Sequence, residues 1–454
     1  MKLVFIVDQR NSYRLLSTVI AQALKRQHEV VILHLLWTIK SVPIESSPFF
    51  GSESKNLSFK EIAYEIDLIS YIEKSEYIDF FLSISPIFFQ LTEIAKTKVT
   101  DRWCIIQHGF DSFGEVWHWK RMGTKGQLHQ NYNRLFFIHT SFFYNKGLDF
   151  LKKFEEIDNK ENYLFFESSK TKIIPVGCLI YSGEPKISNN KAIRIKYNIP
   201  VNKHIVIYLP FPFLPARAKY SKKGSYAWQA AFSGMFIDYE VKGETRLLKL
   251  KNISLFFLKK IIYLTKILRN FEAFSWFVRN WNEPSVLKEV KRFCDNNDLI
   301  LVGKSRKKFP HIQQVNKSCY SILEDDSQIY PSLLQELFSI ADLVIGFQST
   351  TVLESLLNNT PYLNIELPNS SLNNDEARLF WHTSNEGEMY KYKGAVNSMK
   401  IPELIANLHK MNISDFNFHP KQKNEYFKKY LGNEGSESSY NLIKYLEENK
   451  KRFI

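Results

Sequence analysis

The chain has 454 residues, of which 44% are hydrophobic and 24% are charged. This length exceeds one ordinary domain, and the composition excludes global disorder because it supplies enough apolar side chains for two cores. Lysine and arginine outnumber aspartate and glutamate by 61 to 47, giving a net charge of +14. That charge favours phosphate-rich or anionic partners such as nucleotides, acidic lipids or nucleic acid.

The cysteines and the apolar runs bear on the cellular compartment. The 4 cysteines are scattered and form no C-x-x-C pair, which argues against a metal site and favours a reducing cytoplasm. The apolar run at the N-terminus is about five residues long, below the ~7 that a signal peptide needs. No uncharged stretch approaches the ~18 apolar residues of a membrane span. We therefore expect a cytoplasmic protein.

The first 181 residues alternate apolar strands with helical segments. Leu3–Val7 is a continuous apolar run, typical of a parallel strand that is buried on both faces, and apolar residues at helical spacing follow from Tyr13 to Arg26. This alternation predicts a doubly wound, Rossmann-like α/β domain over residues 1–181. Its further strands are predicted at Val30–Leu33, Phe80–Ile84, Trp103–Ile106, Leu135–Ile138 and Lys172–Gly177.

The same alternation returns after residues 182–203, which have the composition of a linker. We predict a second Rossmann-like domain over residues 204–439 and a final helix over residues 440–454. Two such domains in tandem create a cleft, and ligands of such sheets bind at the carboxyl ends of the strands. The strands of the second domain are predicted at His204–Leu209, Leu299–Val302, Ala341–Gly346 and Pro361–Ile365.

Residues 211–282 interrupt the alternation as an insert in the second domain. The insert contains a basic and strongly apolar helical segment, Leu250–Arg269. As an interfacial helix it would place apolar side chains in lipid and cations on anionic headgroups. The alternative is a helix that packs against its own domain with its cations in water. The apolar set is Phe256, Phe257, Ile261 and Leu264, and the basic set is Lys259, Lys260, Lys266 and Arg269.

A polar turn follows the predicted strand Ala341–Gly346. Ser349, Thr350 and Thr351 lie at the predicted start of a helix, where unpaired backbone N–H groups and hydroxyl donors favour a bound phosphate. Glu354 follows Thr351 by three residues. The alternative is therefore a capping box between Thr351 and Glu354, which requires no ligand.

The stretch around this turn resembles the donor-nucleotide region of GT-B glycosyltransferases. It looks most like enzymes of bacterial surface-polysaccharide biosynthesis, including relatives of CDP-glycerol glycerophosphotransferases. The resemblance implies that the C-terminal domain binds a nucleotide sugar of UDP, GDP, CDP or CMP type, with Glu354 on the ribose, and that the N-terminal domain binds a glycan or lipid-linked acceptor. The likeness rests on Asp342, Gly346, Ser349, Thr350, Glu354, Thr360 and Pro361, and on the closing segment Tyr430–Ser439.

A basic turn is predicted directly after the strand Leu299–Val302. Lys304 and Arg306 in this turn would neutralise a diphosphate, and the Arg306 guanidinium would bind it through two hydrogen bonds. The alternative is a solvated loop. A metal-binding D-x-D motif is absent, and Glu324–Asp326 is the nearest acidic cluster. We therefore expect transfer without a metal or another cofactor.

The N-terminal domain offers a general base in the loop Gln107–Glu115. His108 follows a predicted central strand, and histidine titrates in the range that deprotonation of an acceptor hydroxyl needs. The resemblance implies a catalytic His-Gly at this point, whereas the alternative is a histidine that hydrogen-bonds the turn. Asp111 and Glu115 are rival bases. Asp8, at the end of the first strand, reaches the cleft or caps the following helix, and the sequence favours capping.

The favoured function is therefore a GT-B glycosyltransferase that moves a sugar to a surface glycan such as capsule, O-antigen or lipopolysaccharide. A polyol-phosphate transferase on the same fold is the first alternative. A UDP-N-acetylglucosamine 2-epimerase-like enzyme is disfavoured by the basic insert and the Gln-His-Gly loop. A nucleic-acid-binding protein is disfavoured because the aromatic residues, 15% of the chain, are mostly Phe inside apolar runs.

Overall fold

The computed structural model describes most of the chain and divides it into two units. The first unit comprises Met1–Lys186, Ser327–Ser332 and Asn424–Ile454, and the second comprises Ile187–Asp326 and Leu333–Lys423. The described residues are 1–9, 12–38, 42–84, 91–107, 134–142, 145, 171–181, 189–210, 254, 257–258, 261, 265, 283–305, 311–324, 333–347, 349–366, 389–432 and 437–450.

Strands and helices alternate over most of the described chain, with three consecutive strands between residues 103 and 175 and three consecutive helices at the end among the exceptions. The strands are β1 Lys2–Val7, β2 Glu29–Leu35, β3 Leu57–Ile62, β4 Phe80–Ser83, β5 Trp103–Ile106, β6 Arg134–Ile138, β7 Thr171–Pro175, β8 His204–Leu209, β9 Leu299–Ser305, β10 Ser321–Glu324, β11 Leu343–Phe347, β12 Tyr362–Glu366 and β13 Asn397–Lys400. The helices are α1 Tyr13–Lys25, α2 Glu65–Lys74, α3 Glu93–Val99, α4 Asn190–Lys196, α5 Glu283–Asn296, α6 Gln313–Ser318, α7 Leu333–Ile340, α8 Thr351–Leu357, α9 Ile401–Asn407, α10 Pro420–Tyr430 and α11 Ser438–Asn449.

Each unit is built on one parallel sheet. The first sheet has seven strands in the order β3-β2-β1-β4-β5-β6-β7, and the second has six in the order β10-β9-β8-β11-β12-β13. Every neighbouring pair runs parallel. The central strands are buried along their length because helices cover both faces of such sheets. The predicted pair of doubly wound α/β domains is confirmed.

The sequence missed three strands, and all three lie at sheet edges. β3 ends the first sheet, and β10 and β13 end the second. Their residues are mostly half-buried or exposed, in contrast to those of β1 and β11. An edge strand has one neighbour and needs no continuous apolar run, so the apolar signal that reveals a central strand is absent.

The C-terminal helix α11 packs against α1 in the first unit. The Arg26 guanidinium donates two hydrogen bonds to Glu447, at 2.9 Å and 2.6 Å, and His28 Nε2 lies 2.8 Å from the same carboxylate. The hydrogen bonds from Arg26 lower the pKa of Glu447, and burial lowers the pKa of His28. This packing accounts for the return of the chain to the first unit at Asn424, whereas the sequence assigned residues up to 439 to the second domain.

Two further observations concern the cysteines and the membrane. Cys104, Cys178 and Cys294 are buried, Cys319 is half-buried, and all four are free thiols. Within the described ranges, no helix is long and apolar enough to cross a bilayer.

Candidate nucleotide-binding site

The strand order locates a ligand crevice in the second sheet. The chain runs from β8 through β9 to β10 on one side and then from β11 through β12 to β13 on the other, so the order reverses between β8 and β11. In doubly wound sheets ligands bind outside the carboxyl ends of the strands at this switch point. The Ser349–Thr350 turn directly follows the carboxyl end of β11, apart from residue 348, which lies outside the described residues. The sheet therefore brings the predicted phosphate-binding turn to the place where its topology favours a ligand.

The local geometry of this turn differs from a capping box. The N-cap residue of α8 is Thr350, which has helical dihedral angles and whose side chain makes no capping hydrogen bond. The Oγ of Ser349 accepts a long hydrogen bond, 3.4 Å, from the N–H of Thr351. Ser349 and Thr350 are half-buried. Thr351 is the first residue of α8 and not its N-cap, so the alternative of a Thr351–Glu354 capping box is wrong. The Ser349 hydroxyl caps the first turn only weakly, and the Thr350 hydroxyl has no capping role.

Thr351 and Glu354 are buried, whereas Ser349 and Thr350 are half-buried at the turn. Thr351 is 8% exposed and Glu354 is 0% exposed, so both point into the domain. Burial raises the pKa of the Tyr362 phenol, and the nearby Thr351 hydroxyl opposes this rise. The ribose contact of Glu354 and the phosphate contact of Thr351 remain predictions, because both side chains lie beneath the turn.

The basic turn predicted after β9 begins later than expected. β9 continues to Ser305, so Lys304 lies inside the strand, paired with Leu323 of β10, and is 7% exposed. The Ser305 hydroxyl donates to Glu324 at 3.4 Å, which places the first residue of the predicted acidic cluster at the end of β10. The expectation of a solvated turn at Lys304 is wrong for this reason. Arg306 lies outside the described residues.

Several residues of the resemblance motif are structural. Asp342, at the amino end of β11, accepts a hydrogen bond of 2.7 Å from the Ile205 N–H and lies 2.8 Å from His204 Nδ1. A Cβ at Gly346 would lie 2.7 Å from the Tyr362 hydroxyl, so glycine is needed for close packing there. The Thr360 hydroxyl donates to the Phe338 carbonyl at 2.8 Å. These contacts hold the sheet and its helices together, and they leave Ser349 and Thr350 as the motif residues at the crevice.

Tyr208 and Glu283 form a buried polar pair that the sequence did not single out, and they lie on the elements that precede and follow the insert. The Tyr208 hydroxyl on β8 donates to Glu283, the first residue of α5, at 3.0 Å. The two residues are 0% and 2% exposed, and burial raises the pKa of Tyr208 well above its usual value. β8 and α5 flank the insert at 211–282, so this bond ties together the two ends of the segment. No sequence pattern reveals such a pair, because its members are distant along the chain.

In the first sheet the order reverses between β1 and β4. Asp8 follows the carboxyl end of β1 and Ile84 that of β4. Gln107 follows β5 and is 2% exposed, with its side-chain oxygen accepting a 2.9 Å hydrogen bond from the His139 N–H. Gln107 thus joins the ends of two strands. His108, Asp111 and Glu115 lie outside the described residues, so their roles remain predictions.

A cavity of about 390 Å³ lies at the carboxyl ends of β6 and β7. It is at the edge of the first sheet, away from the switch point between β1 and β4. No group of acidic, histidine or cysteine side chains suited to a metal ion occurs among the residues that the structure describes. The cavity is lined by His139, Thr140, Ser141, Phe142, Ile174, Pro175, Val176, Gly177, Lys428, Gly432, Asn441 and Tyr445.

No protein-family model and no curated protein matches the sequence. Solved structures are similar over almost the whole chain. Arabidopsis thaliana UGT89C1 in complex with UDP-L-rhamnose has a TM-score of 0.48 and 10% identity, with 98% of each chain covered. A glycosyltransferase from Rickettsia africae has a TM-score of 0.45 and 12% identity, covering 100% of this chain and 98% of that one. The wall teichoic acid polymerase TagF has a TM-score of 0.45 and 10% identity, with 99% and 89% covered. Scores below 0.5 at such low identity assign neither a family nor a substrate.

Proposed function

We propose that the protein is a glycosyltransferase that moves a sugar from a nucleotide-activated donor to a glycan or lipid-linked acceptor. The observation that carries the proposal is the Ser349–Thr350 turn at the switch point of the second sheet, where both residues are half-buried, the Thr350 hydroxyl makes no capping bond and the Ser349 hydroxyl accepts a long one. Hydroxyl and backbone donors at such a point suit the diphosphate of a donor. The resemblance of the surrounding stretch to donor-nucleotide regions supports the same assignment.

The chemistry follows from the charges that develop during transfer. When the bond between the sugar and the diphosphate breaks, negative charge grows on the leaving phosphate, and fixed donors that face it stabilise the transition state. Ser349 and Thr350 would supply hydroxyl donors, and Lys304 and Arg306, one on β9 and one just after it, would supply positive charge. This arrangement would neutralise the leaving group without a metal ion. The first unit would supply the general base, for which the sequence nominates His108.

A thermal-shift screen against UDP, GDP, CDP, CMP and dTDP tests this proposal. At 100 times its dissociation constant a nucleotide stabilises the folded state by about 2.7 kcal/mol, so we expect at least one to raise Tm by several degrees. EDTA should leave that shift unchanged. A chain whose Tm responds to none of the five nucleotides would contradict the proposal.

Each alternative function predicts a different result in the same thermal-shift screen. Stabilisation by CDP or CMP alone, with transfer from CDP-glycerol, would favour a polyol-phosphate transferase. Stabilisation by UDP, with epimerisation of UDP-N-acetylglucosamine in the absence of an acceptor, would favour the epimerase. Salt-sensitive binding to RNA or DNA without any nucleotide response would favour the nucleic-acid-binding protein.

The insert supports contact with the inner face of the cell membrane. Phe257, Leu258 and Ile261 are helical and 60%, 53% and 56% exposed, and they fall on successive turns of one helical face. The sequence around them carries Lys259, Lys260, Lys266 and Arg269. Apolar side chains on a basic segment suit an anionic bilayer surface, where an enzyme with a lipid-linked acceptor would act.

Vesicle co-sedimentation tests this contact. We expect the protein to bind vesicles that contain phosphatidylglycerol and to be released by high salt, since headgroup attraction is screened. Phe257→Ser with Ile261→Ser should weaken binding about tenfold or more, because burying each such side chain contributes about 1.5–3 kcal/mol. Ile195→Ser, at a residue 61% exposed on α4 of the same unit, is the matched control and should bind normally. Equal loss in all variants would contradict a specific role for the insert.

A further inference from the structure

The first unit has its own switch point, and a carboxylate lies there. The chain passes from β1 through β2 to β3 on one side and from β4 through β5 and β6 to β7 on the other, so the order reverses between β1 and β4. Asp8 directly follows β1 and is half-buried. His108 follows β5, one strand further from the reversal. By topology alone, the end of β1, where Asp8 lies, is closer to the expected crevice than the end of β5.

Local hydrogen bonds fix both the backbone and the side chain of Asp8. The Ser12 N–H donates to the Gln9 carbonyl at 2.9 Å, which closes a turn between β1 and α1. The Ser12 hydroxyl donates to Asp8 Oδ1 at 2.9 Å. The Thr38 hydroxyl donates to the Asp8 carbonyl at 2.8 Å. Among the residues that the structure describes, the Asp8 side chain is bonded by Ser12 at Oδ1, which leaves Oδ2 to accept a proton.

The position of Ser12 makes this arrangement informative. Ser12 is the N-cap residue of α1, is 0% exposed, and has helical dihedral angles with no side-chain capping bond. A serine at an N-cap ordinarily accepts a hydrogen bond from the first turn, which contributes about 1 kcal/mol of stability. Here its hydroxyl orients Asp8 instead. Local rules of stability are broken mainly at functional or strained sites, so a buried hydroxyl that serves a carboxylate instead of the helix is a reason to test this carboxylate for a function. The interpretation of Asp8 as the helix cap stays a prediction, because residues 10 and 11 lie outside the described residues.

We propose that Asp8 is the general base of the transfer reaction and that Ser12 is its positioning residue. This inference rests on the proposed glycosyltransferase function. As the acceptor oxygen attacks the anomeric carbon, Asp8 takes the hydroxyl proton and the bond from that carbon to the phosphate oxygen breaks. The nucleotide leaves with the electron pair, as a diphosphate or, from a CMP-sugar, as CMP. Water can replace the acceptor, in which case the same step hydrolyses the donor.

Nucleotide release from the donor in water tests the proposal without a known acceptor. The probes are the UDP-, GDP-, CDP-, CMP- or dTDP-sugars, chosen by the nucleotide that stabilises the wild-type protein. Asp8→Asn should reduce release by about 10²–10⁴-fold, the usual contribution of a general base, and the loss should appear in kcat and not in KM. Ser12→Ala should reduce release by a smaller factor. In both variants the free nucleotide should raise Tm as in wild type.

Controls separate a catalytic from a structural role. Asp67→Asn, which alters a carboxylate that caps α2 by accepting from the Tyr64 N–H at 3.0 Å, should leave release unchanged. Ser12→Ala removes one hydrogen bond to the Asp8 carboxylate, so it should lower Tm by a few degrees and leave the protein folded at the assay temperature. A parallel His108→Gln variant tests the competing base.

Each contrary outcome overturns a defined part of the proposal. Unchanged release in Asp8→Asn, with loss in His108→Gln, would assign the base to His108. A fall in Tm that parallels the fall in release would make Asp8 and Ser12 structural. A wild-type protein that binds nucleotide and releases none from any donor would exclude this base but not nucleotide binding. A wild-type protein that binds no nucleotide would overturn the proposed function itself.

Discussion

Replacing Gly177 by alanine should cost about 2–6 kcal/mol of folding stability, from the strain of a left-handed backbone added to steric overlap in a packed core. Gly177 has φ +93°, and a Cβ there would overlap the Ser438 hydroxyl and lie 3.2 Å from the Leu431 carbonyl. Its N–H donates to the His139 carbonyl at 3.1 Å, and the Cys178 N–H donates to the Leu431 carbonyl at 2.8 Å. Gly177 therefore lies where three segments of the first unit meet, and the backbone has little room to relax.

Matched variants separate strain from overlap in urea unfolding. Gly51 has φ +79°, and a Cβ there would have no atom within 4 Å, so Gly51→Ala should cost only the backbone strain, about 1–2 kcal/mol. The Ser438 hydroxyl is buried without a hydrogen-bond partner among the described residues, so Ser438→Ala should be close to neutral. The double variant Gly177→Ala with Ser438→Ala should recover part of the loss. Equal costs at Gly51 and Gly177 would refute the steric explanation.

Substitutions at the two ends of β11 should affect different properties, nucleotide affinity at one end and folding stability at the other. Ser349→Ala and Thr350→Val should each weaken nucleotide binding by about 10–150-fold, because each hydrogen bond to a charged phosphate contributes about 1.5–3 kcal/mol. The unliganded Tm should change little, since Thr350 makes no capping bond and the bond to Ser349 is long, 3.4 Å. Titration calorimetry with the nucleotide that raises Tm measures this loss.

Asp342→Ala is the matched comparison at the other end of β11. Its carboxylate accepts the Ile205 N–H and contacts His204, both on β8. Removing it should destabilise the second unit by about 1–3 kcal/mol while the nucleotide affinity of the folded protein stays unchanged. If Asp342→Ala weakened binding as much as the Ser349 and Thr350 pair, the division of the motif into scaffold and site would fail.

The fold was predictable where burial is two-sided. β1, β5, β8 and β11 are continuous apolar runs because helices cover both faces of a parallel sheet, and each was placed within about two residues of its observed bounds, the usual uncertainty of element ends. β3, β10 and β13 escaped prediction because edge strands expose part of their residues to water and lose that pattern.

The location of the candidate site was predictable, but which of its side chains are buried was not. Sequence spacing placed Ser349, Thr350, Thr351 and Glu354 together at a helix start. Spacing could not show that Thr351 and Glu354 face inward, at 8% and 0% exposure, because side-chain direction depends on how α8 packs on its sheet. Lys304 shows the same limit. Its backbone pairing with Leu323 of β10 extends β9 beyond the apolar run from which the strand was predicted.

The sequence by itself determined that this chain forms two doubly wound α/β domains and that a hydroxyl-rich turn follows a buried strand of the second. Both are local properties: apolar periodicity sets the elements, and glycine, serine and threonine set the turns. The tertiary structure decided the strand order, and with it the two switch points that set Ser349 and Thr350, and separately Asp8, at the carboxyl ends where ligands bind. It also decided that Ser12 orients Asp8 instead of capping α1. Strand order depends on pairings between segments that are distant along the chain, and no local pattern records them.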